Sequence, residues 1–275
     1  MAEPTYLDVE GSRLCFEVAG SGSPVVLLHG GWLDMRQWDE EFDALAREHR
    51  VVRYDARGYG RSALGSTPYS HLEDLASLLR GLGIDRTQLV GLSNGAAIAV
   101  EFALWAPASV HSLVIGPAPM RGHDLGPEFM TGMRAVTSAG AAGDKDACVA
   151  AAWDFAPLRV AAGLSEARPR IDMMIRAHDF GYARPGAPKR SSLEPPVSAR
   201  FEEVAAPTLV VIGDGEMPAL IEQGETMARR IPGARVELIP GAGHVVNVER
   251  PAEYQAAVFD WLRTHEAPLG ARSAL

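Results

Sequence analysis

Cysteine is almost absent from these 275 residues: Cys15 and Cys148 are the only two. They form neither a disulfide framework nor a metal-ligand spacing, so both are expected to serve as packing groups. No motif around either one supports a catalytic thiol. Positive charge is also short. Lys and Arg number 26 against 35 Asp and Glu, giving a formal net charge of −9. That balance argues against nucleic acid or an anionic membrane as the main partner. No apolar run approaches the roughly 20 residues that cross a bilayer. The opening M-A-E-P-T-Y-L-D-V-E lacks the basic and then apolar pattern of a secretory signal. The expectation is a cytoplasmic protein, monomeric or homodimeric, with a small molecule as its partner.

What the chain does have is apolar content, 47% of residues, enough at this length for one large core. Short apolar runs alternate with helical patterns. Strands are predicted near 6–9 and 14–18, with Gly11-Ser12 as the turn of a hairpin. V-V-L-L at 25–28 has no polar alternation, which suits a strand buried on both faces. Trp38, Phe42, Leu45 and Ala46 then fall at helical spacing, followed by V-V-R-Y at 51–54 and a helix through Leu72, Leu75, Leu78 and Leu79. Further strands are predicted at 88–90, 113–115, 208–213 and 236–239, and helices from 94 to Pro107, at 218–231 and at 251–264. This alternation predicts an α/β fold with a doubly wound, mostly parallel sheet. Between Pro117 and Pro207 the rhythm breaks into amphipathic stretches without a clean strand. The chain therefore divides into a core at 1–118 and 204–265, a helical insertion at 119–203 and a frayed tail at 266–275.

One junction conflicts with its local propensities. L-V-G-L-S-N-G at 89–95 runs from strand-like sequence into the helix-like A-A-I-A-V-E-F-A-L. Glycine weakens both elements and Ser-Asn is poor helix interior, and such conflicts mark functional sites. G-L-S-N-G matches G-x-S-x-G, a sharp turn that lifts a serine above the C-terminal edge of a sheet. Ser93 would then be a nucleophile, and a serine hydroxyl needs a base. Of the eight histidines, His244 lies in P-G-A-G-H-V-V-N-V-E-R-P, on a loop at that same edge. His49, His71, His111, His123, His178 and His265 occupy surface-like or cap-like contexts, as solvated or packing groups. A carboxylate must orient the base, and G-D-G-E-M-P-A offers two, Asp214 and Glu216. An oxyanion would be held by the backbone N–H groups of Asn94 and of Gly31, the latter in the turn H-G-G-W. His29 is expected to be a hydrogen-bonding prop beneath that turn. No metal-ligand cluster and no phosphate-cradling loop is visible, because G-S-G-S-P at 20–24 precedes a strand. Neither a cofactor nor a metal is expected.

Taken together, H-G-G-W, D-A-R-G-Y-G-R-S, G-L-S-N-G, G-D-G-E-M-P and G-A-G-H-V-V-N-V-E-R-P resemble the α/β-hydrolase superfamily, in particular its small bacterial esterases, enol-lactonases and C–C bond hydrolases. The resemblance covers about 24–118 and 204–265 and makes the insertion at 119–203 the family's variable helical cap. It implies Ser93 as nucleophile, His244 as base, and Gly31 with Asn94 as oxyanion donors. The family's acid position falls on Glu216. An aspartate is commoner there, which keeps Asp214 as a rival. Asp55, Arg57 and Ser62 belong to a structural turn. The implied activity is cofactor-free cleavage of an ester, thioester or lactone. C–C cleavage or a lyase reaction by the same residues, and a ligand sensor with slow turnover, are the alternatives. The substrate pocket is expected to be apolar, lined by Trp32, Trp153, Phe155, Met173 and Val245.

Overall fold

A computed structural model describes residues 5–266; beyond Glu266, the expected frayed tail lies outside the described residues. The opening hairpin pairs β1 (Thr5–Val9) with β2 (Ser12–Ala19), turning at Gly11 with φ 71°. Then come β3 (Pro24–Leu28), α1 (Asp39–Leu45), β4 (Arg50–Tyr54), α2 (His71–Gly81), β5 (Thr87–Gly91), α3 (Asn94–Trp105) and β6 (Val110–Ile115). Four helices follow: α4 (Gly126–Ala142), α5 (Lys145–Asp154), α6 (Arg159–Gly163) and α7 (Ala167–Ala177). The chain closes with β7 (Thr208–Gly213), α8 (Pro218–Arg230), β8 (Arg235–Ile239), α9 (Val246–Glu249) and α10 (Pro251–Thr264).

One eight-stranded sheet runs β1-β2-β4-β3-β5-β6-β7-β8, antiparallel through the first three strands and parallel thereafter. In β3, Val26 and Leu28 face one apolar cluster while Val25 and Leu27 face another. Hence V-V-L-L needs no polar residue: neither face meets water. Strand order reverses between β3 and β5, the place where open α/β sheets bind ligands beyond their carboxyl ends. The turns after β3 and β5 therefore meet over one edge, together with those after β7 and β8.

The helices α4–α7 stand over that edge with an apolar cluster of their own, which includes Phe129, Val136, Phe155, Ile171 and Ile175 and reaches down to Trp32, Leu33 and Val245. The insertion's flanks behave differently. Met120, Val197 and Phe201 join the cluster on the sheet face that Val26 and Leu28 meet.

Candidate active site

Ser93 caps α3 with φ 52° and ψ −118°, a backbone conformation that L-residues rarely adopt. The surrounding glycines make it attainable. A Cβ on Gly95 would strike the Leu28 carbonyl, and one on Gly91 would strike the backbone of Gly95. Strand and helix thus approach at a distance that only glycine permits, and Ser93 is held at the apex.

His244 follows β8 and lies against Glu216, which follows β7: the imidazole Nδ1 donates to Glu216 Oε2. A carboxylate can only accept, so Nδ1 carries the proton and Nε2 is the ring's free basic atom. The other oxygen of Glu216 accepts from the Met217 amide at 2.7 Å, and the residue is buried. Burial disfavours the imidazolium, but the charge and hydrogen bond of Glu216, aided by Glu249, outweigh it and raise the pKa of His244. Asp214 is exposed and accepts from the Gly241 amide at 2.7 Å, so it braces the loop and does not touch the histidine.

The His244 loop rests on a second buried acid that the sequence reading missed. Glu249 accepts from the amides of Gly243 and Val245, and burial raises its pKa. Two residues earlier, Asn247 Nδ2 donates to the Gln37 carbonyl at 2.9 Å and to Glu41 Oε2 at 3.0 Å. Gln37 Oε1 in turn accepts from the Gly30 amide at 2.7 Å. A buried polar chain therefore ties the H-G-G-W turn to the His244 loop. The only sequence signal for it was N-V-E-R-P, which reads equally well as an ordinary helix start.

His29 fills its propping role with both ring nitrogens. Nε2 accepts from the Ala56 amide at 3.0 Å and Nδ1 bonds the Gly30 carbonyl at 2.8 Å. Ser62 Oγ donates to the Asp55 carbonyl at 2.6 Å, and Arg57 is gripped by Asp74 at 2.6 and 2.9 Å, so their turn is a buried brace. Of the histidines expected to be solvated or packing groups in surface-like or cap-like contexts, His49, His71 and His178 are buried packing groups, which corrects the surface-like placement. His178 packs against Tyr59 with ring centroids 4.8 Å apart, and burial lowers its pKa to about 4.

Ser93, Asn94, Gly31, Trp32, His244 and Val245 all line one cavity of about 610 Å³. Its roof comes from Phe129, Met133, Leu158, Ile175 and Tyr182. Three of the expected lining residues lie elsewhere. Met173 is 47% exposed. Trp153 donates from Nε1 to Asp172 at 2.8 Å and carries the Arg168 guanidinium on its ring. Phe155 is buried behind Trp32, its ring edge-on to the indole at 5.2 Å. Helical periodicity identified an apolar stripe but not which side of it meets the cavity. Among the described residues, no group of three or more His, Cys, Asp or Glu side chains gathers as a metal would need, and no helix is long and apolar enough to cross a membrane.

Ser93 and His244, the latter paired with Glu216, thus meet one cavity at the carboxyl edge of a mostly parallel α/β sheet. The chain belongs to the alpha/beta hydrolase family, whose profile matches residues 25–257. A thermophilic esterase from Thermogutta terrifontis, solved with malate bound, superposes with a TM-score of 0.81 at 27% identity, covering 97% of this chain and 100% of that one. Proline iminopeptidase of Levilactobacillus brevis is 26% identical over 89% of this chain and 89% of its own length. The enol-lactonase 3-oxoadipate enol-lactonase 1 of Acinetobacter baylyi is 24% identical over 89% and 91%. Membership and relatives together support a hydrolase, on a sheet of the family's kind.

Proposed function

We propose that this chain is a serine hydrolase that cleaves an ester, thioester or lactone of a small, largely apolar substrate through an acyl-enzyme. The observation that carries the reading is the buried Glu216–His244 pair opening onto the same cavity as the strained Ser93. Esterase and lactonase relatives agree with it.

In this mechanism His244 Nε2 takes the proton from Ser93 Oγ as the oxygen attacks the carbonyl carbon. The negative charge that develops on the carbonyl oxygen is met by the amides of Asn94 and Gly31. Each such donor is worth about 3 kcal/mol of barrier. The imidazolium is stabilised by Glu216 and protonates the leaving oxygen or sulfur. Water, deprotonated by the same nitrogen, then releases the acyl group and restores Ser93. No cofactor or metal takes part.

Labelling with a fluorophosphonate and mapping the adduct by mass spectrometry tests the nucleophile. The adduct is expected on Ser93, and Ser93→Ala is expected to lose about 10⁴–10⁶ in turnover. A label elsewhere, or an active alanine variant, would remove the reading.

A further inference from the structure

The chain is acidic overall, at −9, yet its cavity is not. Among the described residues, Arg57, Lys189 and Arg190 line it and no aspartate or glutamate does. Arg57 is committed to its bidentate pair with Asp74, which leaves two neighbouring cations. They sit on a segment locked in place by backbone pairing. The Tyr69 amide donates to the Lys189 carbonyl at 3.1 Å, and the Ser191 amide donates back to the Tyr69 carbonyl at 2.8 Å.

Arg190 is positioned but not saturated. One Nη donates to Asn94 Oδ1 at 3.0 Å, while the other lies 3.7 Å from Glu101 Oε2. Its Nε is buried without a partner among the described residues. A guanidinium has five N–H donors in a planar fork, and a carboxylate is the partner that fits it edge to edge. Arg57 also keeps one nitrogen, Nη1, without a partner among the described residues, but its Nε and Nη2 are closed by the bidentate pair with Asp74. Beside Arg190 a side cavity of about 250 Å³ is lined by Asn94, Ala97, Glu101 and Arg121, and it shares Asn94, Pro119 and Arg190 with the main one. Two arginines there face one glutamate, so the local balance is positive even before the N-terminus of α3 adds its dipole. Arg121 spends part of its charge on Glu194 at the surface.

We propose that the substrate carries a carboxylate at one end of its apolar body, held by Arg190 with Lys189 beside it. The proposal rests on the serine-hydrolase reading and narrows its substrate class. Because Asn94 directly follows Ser93, the anion would bind within a short chain's length of the carbonyl under attack. An acyl group bearing a terminal carboxylate a few bonds away, or a lactone with such a substituent, meets that spacing. The apolar roof would hold the methylenes between.

The test compares p-nitrophenyl pentanoate with mono-p-nitrophenyl glutarate, which replaces the terminal methyl by a carboxylate, after subtraction of spontaneous hydrolysis. The glutarate ester is expected to have about tenfold or greater kcat/KM, since charge-assisted hydrogen bonds are the strong ones, and the ratio should fall as salt rises. Arg190→Gln should bring the ratio to about one, Arg190→Lys should keep part of it, and Lys189→Gln should lower it less. A wild-type ratio of one or below, or a ratio that neither glutamine variant moves, overturns the proposal. Should Arg190→Gln fail to fold, the wild-type ratio, its salt dependence and Lys189→Gln still decide. Turnover of neither ester together with no Ser93 label would instead count against the hydrolase reading. Calorimetric titration of the wild-type protein with glutarate then judges the anion subsite alone, with no binding at millimolar ligand as the overturning result.

Discussion

At the floor of the cavity, backbone and buried polar bonds fix each group: glycines set the approach of β5 to α3, and Glu216, Glu249 and Asn247 hold the His244 loop. At the roof, Phe129, Met133 and Ile175 hold their places by apolar packing alone. The two constructions tolerate change differently. Packing of suitable volume can be exchanged at modest cost, whereas orphaning a buried polar group costs about 1–3 kcal/mol. A floor of this kind keeps one chemistry while the roof is free to vary with the substrate.

The sharpest way to break that contrast lies in the two acids after β7. Glu216→Gln preserves shape but no longer holds the proton on Nδ1, and a loss near 10⁴ in turnover is expected. Asp214→Asn only weakens a bond to Gly241 and should cost about tenfold or less. Steady-state rates on one ester decide it, and the reverse order would move the acid's role to Asp214. The wild-type rate should also fall in acid as His244 takes up a proton, with a midpoint above the usual imidazole value because Glu216 raises it. A midpoint below that value would contradict the pairing.

The roof gives a smaller effect. Met133→Ala widens the cavity and should change the preference between short and long acyl chains by roughly tenfold. Met173→Ala, on an exposed position, should change it by less than about twofold. Equal shifts in both would mean that the insertion acts as a whole.

The smallest effect concerns Glu41, which joins the polar chain under both loops. Burial pushes its pKa from 4.5 to about 7, although Asn247 and Gln255 pull it back. The folded protein binds this proton more tightly than the unfolded chain does. Its contribution to stability is therefore full below pH 4.5 and lost as pH rises through about 7. Glu41→Gln should narrow the difference in melting temperature between pH 5 and pH 8 by roughly 2–4 °C. An unchanged difference would show that Glu41 is not the titrating group.

The same division separates what could be read in the sequence from what could not. Strands such as 25–28 and 208–213 were legible because burial on both faces leaves only apolar residues. The G-L-S-N-G junction was legible because glycine is demanded by close backbone approach, and the loops that bring Glu216 to His244 were legible by their places after strands, although that placement alone left Asp214 and Glu216 equivalent. The roof was not. Met173 and Met174 are chain neighbours, one exposed and the other buried, and only the rotation of α7 against its partners decides which is which. Glu249 and Asn247 escaped for a related reason, since their partners lie on loops or on residues some 210 positions away.

The left-handed φ at Ser93 has a consequence for the history open to this chain. A side chain there costs about 1–3 kcal/mol that the rest of the fold must absorb. Glycine at position 93 would relieve it, so the most direct route to a sturdier molecule removes the proposed nucleophile. Selection for stability and selection for activity thus pull on one atom group in opposite directions, and a descendant released from its reaction would be expected to melt later than its working ancestor.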